Sequence, residues 1–131
     1  MSQALEATRQ IMVVDDDTES CANIKKALEQ GGFKKVTTVN SGVEVVQMLK
    51  GEESPDILIL DLRLSDWPGV DLLPRIKEAW PDTRVLIYTG KEEKNHEYLD
   101  VIRYVSGFLK KSENLNRLVR CVQETSQDMI A

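Results

Sequence analysis

Three consecutive carboxylates follow a short apolar run near the start of the chain. The run covers residues 11–14, and the acids are Asp15, Asp16 and Asp17. Like charges at this spacing repel one another, and burial would raise the pKa of each carboxyl group. A hard divalent cation neutralises such a cluster, and oxygen ligands combined with several waters suit Mg²⁺. The stretch therefore predicts a magnesium site at the end of a buried strand.

Three later apolar runs also end in side chains that could take part in chemistry. These side chains are Asp61, Thr89 and the adjacent pair Lys110 and Lys111. A carboxylate at the centre of such a cluster can attack phosphorus and form an aspartyl phosphate. The cation would neutralise the transferred phosphoryl group, while an ammonium and a hydroxyl would bind its remaining oxygens. Together these residue types indicate phosphoryl transfer onto a carboxylate.

Short apolar runs alternate with helix-period segments along the chain. The predicted strands are residues 11–14, 35–39, 56–60, 84–88 and 107–111. The unbroken apolar run at 56–60 is typical of a central parallel strand that is covered on both faces. Five strands alternating with five helices predict an α/β fold, a doubly wound five-stranded parallel sheet with right-handed crossovers. Ligands bind such sheets beyond the carboxyl ends of the strands, where the candidate site residues converge.

Local signals within these elements give narrower expectations. Asp17 is expected to cap the first helix, and Ser41 with Glu44 forms a capping box at the second. Pro74 fits the third helix only in its first turn, where amide groups lack intrahelical partners. Met48 is expected in the core because it follows the apolar face of the second helix.

Composition places the chain among ordinary globular proteins. Its 131 residues are 41% hydrophobic and 30% charged, which fits one domain with a single core. The net charge of −5 argues against direct binding of nucleic acid. Cys21 and Cys121 fall on apolar helix positions and are expected to be free thiols, as in a reducing cytoplasm. Without a visible signal peptide or an apolar run of roughly 20 residues, we expect a cytoplasmic protein that does not span a membrane.

Four segments, in order, resemble the receiver domain of two-component response regulators. They are "VVDDD" at residues 13–17, "ILILDLRL…PGVDLL" at 57–73, "YTG" at 88–90 and "GFLKKS" at 107–112. The resemblance implies the flavodoxin-like (βα)5 receiver fold, with the strand order 2-1-3-4-5. It covers residues 10–125, which leaves an N-terminal tail at 1–9 and a C-terminal tail or the start of a linker at 126–131.

The resemblance also implies a role for each candidate residue. Asp61 would be the phosphoacceptor, and Thr89 would hydrogen-bond the phosphoryl group. The implied Mg²⁺ ligands are three carboxylates and one backbone carbonyl: Asp15, Asp16, Asp61 and the carbonyl of Arg63. Either Lys110 or Lys111 would bind a phosphoryl oxygen. Lys111 is favoured because Phe108 then stands three residues before it, at the position of the family's switch aromatic.

For function, the resemblance implies a phosphorelay signalling switch that catalyses only its own phosphorylation and dephosphorylation. A sensor histidine kinase or a phosphotransfer protein would donate the phosphoryl group. The face formed by the predicted fourth helix, fifth strand and fifth helix, which includes Phe108, would bind an output domain or a downstream protein, for example to regulate transcription. Homodimerisation on activation is compatible with this scheme, whereas direct contact with nucleic acid or a membrane is not expected.

The chain departs from the family pattern in its loops, and two alternative functions can be weighed. Ser65 stands four residues after Asp61, and Ser112 follows Lys111, at two positions where the family usually has proline. A receiver fold that only binds partners is one alternative, and the complete set of acids, hydroxyl and lysine argues against it. A flavodoxin-like FMN carrier is the other. The acidic run after the first strand would repel the phosphate of FMN unless a metal ion were bound, so this alternative is disfavoured.

Overall fold

The computed structural model describes residues 6–90, 102–111 and 114–129. Within them the strands are β1 (Gln10–Val14), β2 (Lys35–Val39), β3 (Ile57–Leu60), β4 (Arg84–Thr89) and β5 (Gly107–Lys110). These strands form one parallel sheet in the order β2-β1-β3-β4-β5. The predicted fold class and strand order are therefore confirmed, and every predicted strand is found to within one residue at either end.

Four α-helices lie wholly within the described residues, and residues 6–8 before β1 are also helical. The four are α1 (Thr18–Gln30), α2 (Gly42–Met48), α3 (Gly69–Ala79) and α4 (Leu115–Asp128). A short 3-10 helix covers Ile102–Tyr104, while most of the predicted fourth helix, at about 91–105, lies outside the described residues. None of the helices in the described residues is long and apolar enough to span a bilayer.

Two predicted helix caps are confirmed. The Asp17 carboxylate accepts hydrogen bonds from the backbone N–H groups of Glu19 and Ser20, so this acid serves the start of α1. At α2, the Ser41 hydroxyl accepts from the Glu44 N–H at 3.2 Å and contacts the Glu44 carboxylate at 3.1 Å. Both caps satisfy amide groups that a helix leaves without internal partners. The third acid of the opening run is thereby assigned to the helix.

The placement predicted for Pro74 is wrong, because the proline lies inside α3 instead of in its first turn. The helix begins earlier than expected, at Gly69, directly after the capping residue Pro68. Gly69 sits so close to the preceding loop that an added Cβ would lie 2.6 Å from the Cα of Leu62. The early start puts Pro74 in the second turn, where it has no N–H to offer the carbonyl of Val70.

The sheet is covered on both faces, and β3 contributes to both cores. Ile57 and Ile59 pack with residues of α1 and α4, whereas Leu58 and Leu60 pack with residues of α2 and α3. All four side chains are buried, as an unbroken apolar run in a central parallel strand requires. The expectation for Met48 is wrong, since it ends α2 with 37% of its surface exposed.

Packing continues past the predicted limits of the domain at residues 10 and 125. The Arg9 guanidinium donates to the hydroxyl of Ser126 at 3.1 Å and to its carbonyl at 2.9 Å. Ser126 is fully buried, and Glu6 is almost fully buried. The segment before β1 is therefore joined to the end of α4.

Candidate functional site

The carboxyl ends of four strands bring the candidate residues to one edge of the sheet. Asp15, Asp61 and Lys111 each follow a strand directly, and Thr89 is the last residue of β4. Backbone hydrogen bonds continue the sheet pairing through the first three of these residues, at 3.0, 3.0 and 2.8 Å. Asp15, Asp61 and Thr89 are all buried. The ends of the sheet thus fix the backbone positions of the site.

The ammonium of Lys111 bridges two carboxylates. Its Nζ lies 2.5 Å from Asp15 Oδ2 and 3.0 Å from Asp61 Oδ2, and both acids are far more buried than the lysine. Burial on its own would lower the pKa of Lys111, but the hydrogen bonds to Asp15 and Asp61 outweigh it and raise that pKa. Lys111 therefore stays charged at neutral pH. Lys110 is exposed.

Both oxygens of the Asp61 carboxylate are engaged. Oδ2 accepts from Lys111, while Oδ1 accepts from the Thr89 hydroxyl at 3.1 Å and from the Arg63 N–H at 2.9 Å. The ionised form of a carboxylate is the form that can act as a nucleophile. The surrounding groups hold Asp61 in one orientation.

Asp15 is supported by three residues for which no role in the site was predicted from the sequence. Its Oδ1 accepts from the Asp17 N–H at 3.0 Å, and its carbonyl accepts from the Asn40 amide at 3.1 Å. The Cys21 thiol also donates to that carbonyl, at 3.3 Å. Burial is the main cause that raises the pKa of this thiol to about 11, and the negative charge of Asp15 adds to it. Asn40 follows β2 directly, so the rule that polar residues at strand ends meet could have found it.

Asp16 is not part of the bridged pair. Its side chain is exposed, and its Oδ2 accepts from the Ser65 N–H at 3.0 Å. Among the described residues, no three acidic, histidine or cysteine side chains are grouped closely enough to hold a metal ion. The ammonium of Lys111 instead supplies the positive charge between Asp15 and Asp61.

The donor chemistry of the site nevertheless fits Mg²⁺. The side chains of Asp15, Asp16 and Asp61 offer only oxygen ligands, which this cation prefers. A carboxylate has two oxygens, so Asp16 can accept the Ser65 N–H with one and bind a cation with the other. The three acids also lie on two adjacent loops, after β1 and after β3.

The loop after β3, residues 61–68, is fastened to the start of α2. The Asp66 carboxylate accepts from the N–H groups of Gly42 at 2.9 Å and Val43 at 3.0 Å, and these bonds hold the pKa of Asp66 below its usual value. Trp67 packs on Gly42 so tightly that an added Cβ would lie 2.5 Å from the Trp67 Cβ. The guanidinium of Arg75 lies over the Trp67 ring, 5.2 Å from its centre. The role of Asp66 could not be identified from the sequence, because its hydrogen-bond partners are more than twenty residues away.

Replacing Asp66 with alanine is expected to lower the free energy of unfolding by about 1 kcal/mol at neutral pH, since two helix N–H groups lose an acceptor. The folded-state pKa of Asp66 is lowered from 3.8, so its contribution is present above about pH 3.8 and is lost as the pH falls through the lowered pKa. Urea unfolding at several pH values tests this, with the exposed Asp82→Ala as the matched control. A difference between wild type and Asp66→Ala that did not narrow in acid would contradict the assignment.

Comparison with known proteins adds an independent line of observation. The model of the response regulator receiver domain family matches residues 11–123. A nitrate/nitrite response regulator protein homolog from Haemophilus influenzae is 29% identical over 118 residues, which are 89% of this chain and 56% of that protein. The photosynthetic apparatus regulatory protein RegA from Cereibacter sphaeroides is 34% identical over 88 residues, 66% of this chain and 46% of that protein.

A solved structure shares the fold over nearly the whole chain. The response regulator receiver domain protein from Clostridium thermocellum superposes with a TM-score of 0.80 at 26% identity, covering 92% of this chain and 96% of that chain. The curated relatives are longer, and this chain spans about half of their length.

Proposed function

The chain belongs to the response regulator receiver domain family, and from that premise we propose that Asp61 accepts a phosphoryl group in a reaction that requires Mg²⁺. Receiver domains act in two-component signalling and are signalling domains, not classical enzymes. The proposed phosphorylation and dephosphorylation would be the only reactions that this domain catalyses.

One observation carries the proposal: the nearly buried carboxylate of Asp61 is bound at once by an ammonium, a hydroxyl and a backbone N–H. These donors hold the Asp61 carboxylate in one orientation at the end of the central strand. The same ammonium and hydroxyl belong to Lys111 and Thr89, so they are positioned to bind phosphoryl oxygens once the carboxylate has reacted.

In the proposed reaction, an Asp61 oxygen forms a bond to phosphorus while the phosphorus–nitrogen bond of a phosphohistidine breaks. The electron pair of the broken bond returns to the imidazole nitrogen. Asp15, Asp16, Asp61 and the carbonyl of Arg63 would hold the cation. When bound, Mg²⁺ would supply positive charge beside the transferred phosphoryl oxygens. Lys111 and Thr89 then exchange their bonds to the carboxylate for bonds to the phosphoryl group.

We propose that this exchange is the switch. Thr89 is fully buried, and Phe108 lies in β5, the strand that pairs with β4. A shift of the Thr89 side chain toward the phosphoryl group would open space for Phe108 and bias the face made by β5, α4 and the segment before β5. An output domain or downstream protein would read this face. A transcriptional output is one proposal, because a relative about twice as long is named a putative transcriptional regulator.

We propose that this protein acts in the cytoplasm, where a sensor histidine kinase or a phosphotransfer protein would be the donor. The expected chemistry can be tested without that donor. Phosphoramidate carries a phosphorus–nitrogen bond like that of phosphohistidine. Intact-mass measurements after incubation with phosphoramidate and Mg²⁺ should reveal the addition of one phosphoryl group, and chelation of the metal should prevent it. Modification of equal extent with and without Mg²⁺ would contradict the proposal.

A further inference from the structure

We propose that the backbone N–H of Ser65 is a positioning group for the metal-ligating carboxylate of Asp16. This inference rests on the proposed function, in which Asp16 is a ligand of Mg²⁺. The Ser65 N–H donates to Asp16 Oδ2 at 3.0 Å, and the two residues are 49 positions apart in the chain. The bond joins the loop after β1 to the loop after β3, the two loops that would together hold the cation.

Because Asp16 is exposed, this hydrogen bond affects how much free energy is needed to order its side chain when a cation binds. An exposed aspartate samples several rotamers, and ordering it on binding a cation costs free energy. A hydrogen bond from a backbone amide to an ionised carboxylate is stronger than one between neutral groups. It restricts the Asp16 side chain before the cation arrives and leaves one carboxylate oxygen for the metal.

The donor is itself held in place. On one side of Ser65, the Arg63 N–H is bonded to the acceptor carboxylate of Asp61 at 2.9 Å. On the other side, Asp66 is bonded to the N–H groups at the start of α2. The loop is thus fastened two residues before Ser65 and one residue after it. The N–H of Ser65 is a preorganised donor, and Asp16 is the exposed side chain that it orients.

The chemistry of this contact depends on the backbone of residue 65. A proline at this position, which the family pattern favours, has no N–H and could not make the bond. Alanine retains the N–H and removes only the hydroxyl. Ser65→Pro and Ser65→Ala therefore form a matched pair that separates the amide from the side chain.

Mg²⁺ titration by isothermal calorimetry, without any phosphodonor, tests the inference. We expect Ser65→Ala to bind Mg²⁺ like wild type and Ser65→Pro to bind roughly five- to tenfold more weakly, a loss typical of the cost of ordering one exposed side chain on binding. In an Asp16→Ala background, Ser65→Pro should cause no further loss, because the oriented carboxylate is already gone. Equal or tighter binding by Ser65→Pro would overturn the inference, and so would an equal loss in both single variants. If wild type failed to bind Mg²⁺, the proposed function would fall first.

A second measurement does not depend on how Ser65→Pro folds. Amide hydrogen exchange, read by two-dimensional NMR, should be slower for Ser65 in wild type than in Asp16→Ala. The Ser65 amide signal should also shift when Mg²⁺ is added to wild type. Exchange at the same rate in both proteins, or a Ser65 amide signal that does not shift when Mg²⁺ is added, would show that this amide does not position Asp16.

Discussion

Replacing Asp61 with asparagine is expected to abolish uptake of a phosphoryl group from acetyl phosphate or phosphoramidate. The amide is close in size to the carboxylate but carries no negative charge, so the nucleophile is lost while the space it fills is kept. Intact-mass spectrometry in the presence of Mg²⁺ measures the result directly. Asp15 and Lys111 remain paired in this variant, so its fold should survive.

The matched control for this experiment is Asp17→Asn. Asp17 belongs to the same acidic run as Asp15, but its side chain caps α1 instead of entering the bridged cluster. Asparagine is an equally good N-cap residue, so this variant should take up phosphoryl groups as wild type does. Phosphorylation that persisted in Asp61→Asn, or that was lost equally in Asp17→Asn, would contradict the assignment of Asp61 as the phosphoacceptor.

Replacing Lys111 with methionine is expected to have two opposite effects. Phosphoryl uptake should fall by about 100-fold, because one preorganised charged donor to the phosphoryl oxygens is lost. Mg²⁺ binding should tighten by roughly tenfold, equivalent to ~1.4 kcal/mol, because the ammonium no longer neutralises Asp15 and Asp61. Methionine preserves much of the length and apolar character of the lysine stem.

Lys110→Met is the control that separates the two adjacent lysines. Lys110 is exposed, whereas the ammonium of Lys111 reaches both carboxylates, so the Lys110 variant should match wild type in both assays. Rates of phosphorylation and calorimetric Mg²⁺ titrations on the two variants complete the test. A loss of uptake in Lys110→Met, or weaker Mg²⁺ binding in Lys111→Met, would contradict the bridging role of Lys111.

The sequence was sufficient to predict the sheet and much of the site. Parallel strands end at the same edge, so residues that directly follow apolar runs must approach one another. That rule alone brings Asp15, Asp61 and Thr89 together, and their burial follows from the covered sheet. It does not choose between Lys110 and Lys111, because only the local direction of each side chain at the end of β5 decides which ammonium reaches the acids.

Contacts between distant loops could not be predicted. Asp15 and Asp16 are adjacent and chemically identical in the sequence, yet one is bridged to Lys111 and the other is bonded to the Ser65 N–H. The difference arises because neighbouring residues point in different directions as the chain leaves β1. The hydrogen bonds by which Asp66 joins the loop after β3 to the start of α2 depend likewise on tertiary packing.

Helix limits were the other source of error. The true start of α3 depends on the close approach of Gly69 to Leu62, a tertiary contact that no periodicity encodes, and this shifts Pro74 into the helix interior. Met48 was expected in the core, but it is the last residue of a short helix and is 37% exposed. In both cases the local sequence pattern gave the wrong placement because it did not show where the helix begins or ends.

Identifying the modified carboxylate is the most direct test of the account. Borohydride reduces an acyl phosphate to an alcohol, so treatment of the phosphorylated wild-type protein followed by peptide mapping marks the residue that carried the phosphoryl group. The account predicts conversion at Asp61 alone, only when Mg²⁺ is present. Conversion at Asp15 or Asp16, or conversion at Asp61 that proceeds equally in chelator, would contradict it.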